Sequence, residues 1–184
     1  MRWWLRSVAV GFTVGFGVGL VVGGTLGRVF MRLLFLARED ALGFETAMGA
    51  IVGEFTGSGT ASIYAFGAIA GVALGLAYAV GRTLLPSGTR VRTILFTLGT
   101  TAFMLGQIVR GNREDFSVLP VTLSLVLIVG SVALTAAPVP FLVERLAPDR
   151  MRSPGRAAQG VVLLGMTGFA VFAVTGVVLA YTAV

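Results

Sequence analysis

The chain has 184 residues, 56% of them hydrophobic and 12% charged, with a mean hydropathy of +0.93, whereas an average soluble domain carries about 25% charged residues. All fourteen basic residues are arginine, and lysine, histidine and cysteine are absent. That excludes lysine Schiff bases, imidazole ligands and His-based triads, thiolate chemistry, disulfides and sulfur-ligated metals. The formal charge of +6 would point to nucleic acid in a soluble domain, but in a chain this apolar it expresses membrane topology.

The first apolar stretch, 7–27, carries Gly11, Gly15, Gly19, Gly23 and Gly27 at four-residue intervals, with Gly17 and Gly24 beside them. Glycine inside a helix costs roughly 0.5–1 kcal/mol against alanine, so such a ladder implies a gain that needs the side chains to be missing. Between transmembrane helices that gain is close backbone packing, because lipid tails are as apolar as leucine and association rests on van der Waals contact. A four-residue period drifts around the helix by roughly 40° per step, which a right-handed crossing accommodates. Arg2 and Arg6 precede the stretch, as in a signal peptide, but the run is long and lacks a small-residue exit, so it reads as an uncleaved anchor.

Arg28 and Arg32 follow, one helical turn apart. Between 41 and 57 apolar residues fall at Phe44, Met48, Ile51, Val52 and Phe55, a helical pattern too short to span. We expect an external amphipathic helix there, lying at the interface or re-entering it. Glu54, and secondarily Glu45, would face the two arginines. This set forms either an Arg–Glu lock or a pocket for an anion or lipid phosphate. The run from Gly53 to Thr60 is expected to break the helix and launch the next, with Ser58 or Thr60 as N-cap. No Gly-Lys-Ser/Thr follows, so it is not a P-loop.

The second stretch, 62–81, repeats the ladder as Gly67, Gly71, Gly75 and Ala79, which makes it the natural antiparallel partner of the first. The third and fourth, 91–110 and 117–140, are joined by a short charged turn from Arg110 to Asp115, read as solvated. Ser117 is the expected N-cap of the fourth stretch, with Pro120 in its first turn, and Pro138 and Pro140 are expected to close it. The fifth runs over 157–183.

Each stretch is near the ~20 residues needed to cross a hydrocarbon core. The fold expected is therefore an all-α polytopic bundle of about five transmembrane helices in a single domain, 1–184. Five spans place the N-terminus and the 82–92 and 144–156 loops on one side, with nine arginines against two carboxylates, a net of +7. The other side carries five arginines against six carboxylates, a net of −1. The positive-inside rule then puts the N-terminus in the cytoplasm and the C-terminus outside, and Trp3 and Trp4 fit an aromatic belt at the inner interface.

Gly27-Arg28, Met31-Arg32, Gly53-Glu54-Phe55-Thr56, Gly59-Thr60, Leu85-Pro86 and Asp115-Phe116 together resemble a group of small multi-pass plasma-membrane proteins of actinobacteria and related bacteria, over about Gly19 to Leu146. That resemblance implies the architecture and no activity. The layout, with Gly59-Thr60-Ala61 and Asp115-Phe116 before their spans, also resembles the Insig-type lipid-sensing membrane proteins, which have six spans where this chain offers five.

No carboxylate pair falls at membrane depth and no metal or cofactor set is present. The expected role is non-enzymatic, with no catalytic residue, metal or cofactor and no nucleic-acid partner. Glycine faces would mediate assembly in the bilayer with further copies or other membrane subunits. The alternative is a transporter, channel or lipid-binding sensor whose outward Arg/Glu pocket takes a lipid ligand.

Overall fold

In the computed structural model, residues 2–37, 43, 56–117, 119–147 and 155–182 are described, and the regular structure among them is all helical. Helix α1 (Arg2–Val18) passes through a π-helical turn (Gly19–Gly23) into α2 (Gly24–Ala37). Then come α3 (Gly57–Gly81), α4 (Thr89–Gly111), a 3-10 turn (Arg113–Ser117), α5 (Val121–Ala136), α6 (Pro138–Leu146) and α7 (Arg156–Tyr181). Five helical rods are long and apolar enough to cross a membrane: Trp4–Ala37, Gly57–Gly81, Thr89–Gly111, Val121–Leu146 and Gly160–Tyr181. Large apolar side chains such as Phe12, Ile69, Leu98, Val126 and Leu164 stand exposed around them.

The most extensive packing is between α1 and α3, and it is made by backbone. A methyl placed on Gly11 would lie 2.6 Å from the Gly75 carbonyl oxygen, and one on Gly71 would lie 2.5 Å from the Gly19 Cα. Gly15 meets Gly71 and Gly19 meets Gly67 in the same way, and the Ala79 methyl stands against Gly11, so the helices run antiparallel almost backbone to backbone. The π turn falls where the ladder would drift off this contact. A wider turn advances through a smaller angle per residue, which pulls the stripe back toward α3. Beyond it Gly24 receives the Tyr64 ring and Gly27 faces Ile63, while Gly17 looks into open space.

Helices α4 and α7 form the second large contact. The Gly106 Cα comes within 3.1 Å of a methyl placed on Gly176, and Phe103 lies between Phe169 and Phe172, with ring centroids 5.3 and 5.9 Å away. Helix α7 is mostly uncovered, with Val161, Leu164, Val171, Val174 and Val178 all more than half exposed.

Three helix ends differ from the sequence expectation. The cap of α3 is Thr56 rather than Ser58 or Thr60. Its backbone is extended and its Oγ1 accepts from the Gly59 amide at 3.1 Å, so Gly57 and Gly59 sit inside the first turn. Thr56→Ala should lower stability by about 1 kcal/mol while Thr56→Ser is nearly neutral; thermal unfolding of the two variants in one detergent measures this. The second difference is at Pro138, where the fourth rod does not end. Ala137 keeps helical dihedrals (φ −61°, ψ −40°) and its amide bonds the Ala133 carbonyl at 3.0 Å. Pro138 therefore opens a new helical segment, a position where its missing N–H is tolerated. The rod continues to Leu146, beginning after Pro120 at Val121 rather than at Ser117.

Candidate functional site

Among the described residues, three polar clusters and an apolar cavity stand out within the bundle. At one end, the half-buried Arg28 of α2 reaches the start of α3, donating from Nη2 to the Thr56 carbonyl at 3.3 Å and to the Thr60 hydroxyl. Arg32, one turn on, instead lies over the Phe35 ring with its guanidinium carbon 5.2 Å from the centroid. Among the described residues the two arginines therefore have different partners. Glu45 and Glu54, and the 44–55 part of the external amphipathic segment, lie outside the described residues.

The Arg110 turn is not simply solvated. Arg110 is the penultimate residue of α4, and its guanidinium stacks on the Phe172 ring at 3.6 Å while Nη2 donates to the Thr175 hydroxyl at 2.6 Å. A planar guanidinium suits this combination of ring face and directed bond, and it clamps α4 to α7.

The opposite end holds a charged knot that the sequence reading assigned to loops. Arg82 follows α3 and is fully buried. Its Nη1 donates to the Ala147 carbonyl at 2.7 Å and its Nη2 to the Ser7 hydroxyl at 2.8 Å. Glu144 Oε1 lies 3.7 Å from Arg82 Nη1 and accepts from Arg92 Nη1 at 2.9 Å and from the Tyr78 hydroxyl at 2.8 Å. Arg92 also donates from Nε to the Pro86 carbonyl at 3.0 Å. One carboxylate thus gathers groups from α3, α4 and α6, and Ser7 of α1 joins through Arg82. Multiple directed bonds of this kind are what a buried charge requires. The signal available in the sequence was the spacing Val139, Val143 against Pro140, Glu144, a helical repeat that continues past the prolines.

The cavity lies between α2, α3, the end of α4 and α5, with a volume of about 190 Å³. Gly27 and Leu34, Ile63 and Gly67, Ile108 and Ile128 supply much of its apolar wall. A methyl on Gly23 would stand in ordinary contact with the Gly67 Cα at 3.5 Å and Thr135 Cγ2 at 3.6 Å. The polar lining is Asn112 and Asp115 at one end and Ser124, Ser131 and Thr135 down α5. These last three share one face with Ile128, at helical spacing. Most of this polarity is satisfied internally: Asn112 Nδ2 donates to the Ile108 carbonyl at 2.7 Å and Thr135 Oγ1 to the Ser131 carbonyl at 2.7 Å. Ser124 differs. It is only 3% exposed, and its hydroxyl has no hydrogen-bond partner among the described residues. Nothing in the order of residues sets Ser124 apart from the other hydroxyls of the apolar stretches.

No group of three or more metal-ligating side chains occurs among the described residues. The chain matches no protein-family model, no curated protein and no solved structure.

Proposed function

We propose that the protein is a non-enzymatic integral membrane protein that binds a lipid chain between α2, α3 and α5. It would cross the bilayer five times with its arginine-rich N-terminus and loops in the cytoplasm. The observation that carries this reading is the cavity: a largely apolar space of about 190 Å³ lined by α2, α3, α4, α5 and the turns between them. A void of about 150 Å³ with a similar lining suffices to bind benzene, and a site of mainly apolar lining with few polar groups is the usual form of a small-molecule site. The exposed apolar side chains around the rods supply the lipid-facing surface that a bundle in a bilayer requires.

Assembly is the second reading. Gly11 and Gly15 of α1 face α3 of the same chain while Gly17 is open, and the least covered of the spanning helices is α7. That helix is barely covered, and Gly165 and Gly168 on it meet nothing within 4 Å.

Native mass spectrometry from membranes tests both. A 19.1 kDa chain carrying one lipid-sized adduct is the expected result, lost in an Ala70→Phe variant that fills the cavity while the variant stays folded. Multiples of the chain mass without an adduct would favour assembly and sink the ligand reading.

A further inference from the structure

The geometry points to a headgroup site for an anionic phospholipid at the junction of α1 and α6, where Arg6 and Arg145 take the lipid phosphate. The inference needs the membrane-spanning rods and is independent of the cavity.

Three observations carry it. The first is position. Arg6 lies near the start of the first rod, and Arg145 is the penultimate residue of the fourth. Arg6 donates from Nη2 to the Leu146 carbonyl at 3.2 Å, which holds its guanidinium beside the residue that follows Arg145. Both residues are exposed, and both stand at the end of a rod, the level at which headgroups meet a spanning helix.

The second is charge. The carboxylate of α6, Glu144, is engaged by Arg92, Arg82 and the Tyr78 hydroxyl. No carboxylate comes within 4.0 Å of Arg6 or Arg145 among the described residues. Arg82 lies behind the pair, bonded to Ser7 and to the Ala147 carbonyl, the neighbours in sequence of Arg6 and Leu146. The junction therefore gathers four arginines, Arg6, Arg82, Arg92 and Arg145, around one carboxylate, a net of +3. An exposed guanidinium keeps a planar fork of donors that matches phosphate oxygens. Arg6 uses one nitrogen on Leu146, and Arg145 makes no hydrogen bond to the described residues.

The third is the apolar surface beside these charges. Phe141 lies one turn deeper than Arg145 on the same side of α6 and is 53% exposed. Ala9, about one turn deeper than Arg6 on α1, is exposed as well, and Trp4 stands exposed at the headgroup level. Acyl chains can lie along this surface while their phosphate meets the arginines, a combination that a free phosphate ion does not use.

The test uses the delipidated full chain in a neutral detergent at about 0.15 M salt, where charges more than ~8 Å apart are largely screened. The probes are dioleoylphosphatidylglycerol, dioleoylphosphatidylcholine and inorganic phosphate. Native mass spectrometry should show one phosphatidylglycerol retained per chain about 25-fold more readily than phosphatidylcholine, at about fivefold for each arginine. Inorganic phosphate at matched concentration should not displace it. Arg145→Gln should lower the preference about fivefold, Arg6→Gln likewise, and the two together should bring it close to one. Arg145→Gln carries the most weight, because Arg145 has no bond within the described protein to lose. Arg90→Gln removes an equal charge from an exposed position at the start of α4, at the same end of the bundle, and should leave the preference unchanged. The preference should also persist in Ala70→Phe, so the headgroup site and the cavity stand or fall separately. Equal retention of the two lipids by the parent, or an Arg145→Gln protein that keeps the preference, overturns the site. A loss in Arg90→Gln as large as in Arg145→Gln shows a diffuse field over the whole end and overturns it too. Displacement by inorganic phosphate overturns the lipid as the source of the anion, and loss of the preference in Ala70→Phe assigns the adduct to the cavity instead.

Discussion

Replacing Gly71 with isoleucine should leave little or no folded protein after detergent extraction. A Cβ at this position would fall inside the Gly15 carbonyl and 2.5 Å from the Gly19 Cα. Those atoms are backbone and cannot rotate aside, so α1 and α3 must part along their length. Overpacking a core commonly costs about 1–3 kcal/mol, and a clash that separates the most extensive helix pair should lie at or above the top of that range, a large part of a typical 5–15 kcal/mol total. Gly17→Ala is the control. Nothing lies within 4 Å of that site, so the substitution should be neutral or stabilise by about 0.5–1 kcal/mol through the unfolded chain. Size-exclusion profiles and unfolding temperatures in one detergent read the difference. A Gly71→Ile protein as monodisperse and as heat-stable as the parent would mean that the two helices do not meet there.

Glu144→Gln should be the most damaging of the conservative charge substitutions. The change keeps the shape of the side chain but removes the negative charge that Arg92 and Arg82 approach at 2.9 and 3.7 Å. Arg82 is fully buried and the Arg92 side chain is 8% exposed, so their charges are poorly reached by water. Deleting one partner of a buried ion pair costs about 3–5 kcal/mol, even though the intact pair adds little net stability. Adding Arg92→Gln to Glu144→Gln should therefore cost less than the sum of the two single changes. Glu114→Gln, at an exposed position on the 3-10 turn, should stay within about 0.5 kcal/mol of the parent. Equal losses for Glu144→Gln and Glu114→Gln would show that the knot contributes no more than a surface charge.

What the sequence made legible was periodicity. Five apolar stretches of spanning length stand out by composition alone, and all five are helical rods in the structure. The fourfold glycine spacing marks the residues at which α1 and α3 touch, because backbone-to-backbone contact leaves a compositional trace that no other packing leaves. Polar contacts leave no comparable trace. Arg82, Arg92 and Glu144 look like loop charges when read in order, since Pro138 and Pro140 argue for a helix end. Only the helical dihedrals at Ala137 carry Glu144 inward. The cavity was equally hidden: its lining comes from several elements, and a void is a property of how they fit rather than of any one of them. The π turn belongs to the same class, being a response of α1 to its partner.

The order in which these contacts lie along the chain has a consequence for synthesis. The densest contact joins α1 to α3, so both of its partners are made before α4 begins. Arg82 and Arg92 are made next, but the carboxylate that holds them arrives only with α6, more than fifty residues later. Helix α7 comes last and packs mainly on α4. A ribosome pausing after α3 would hold a nascent chain whose tightest interface is already complete. A pause between α4 and α6 would instead expose two inward-facing guanidiniums that still await Glu144, and that interval is where a membrane chaperone or quality-control protease has most to recognise.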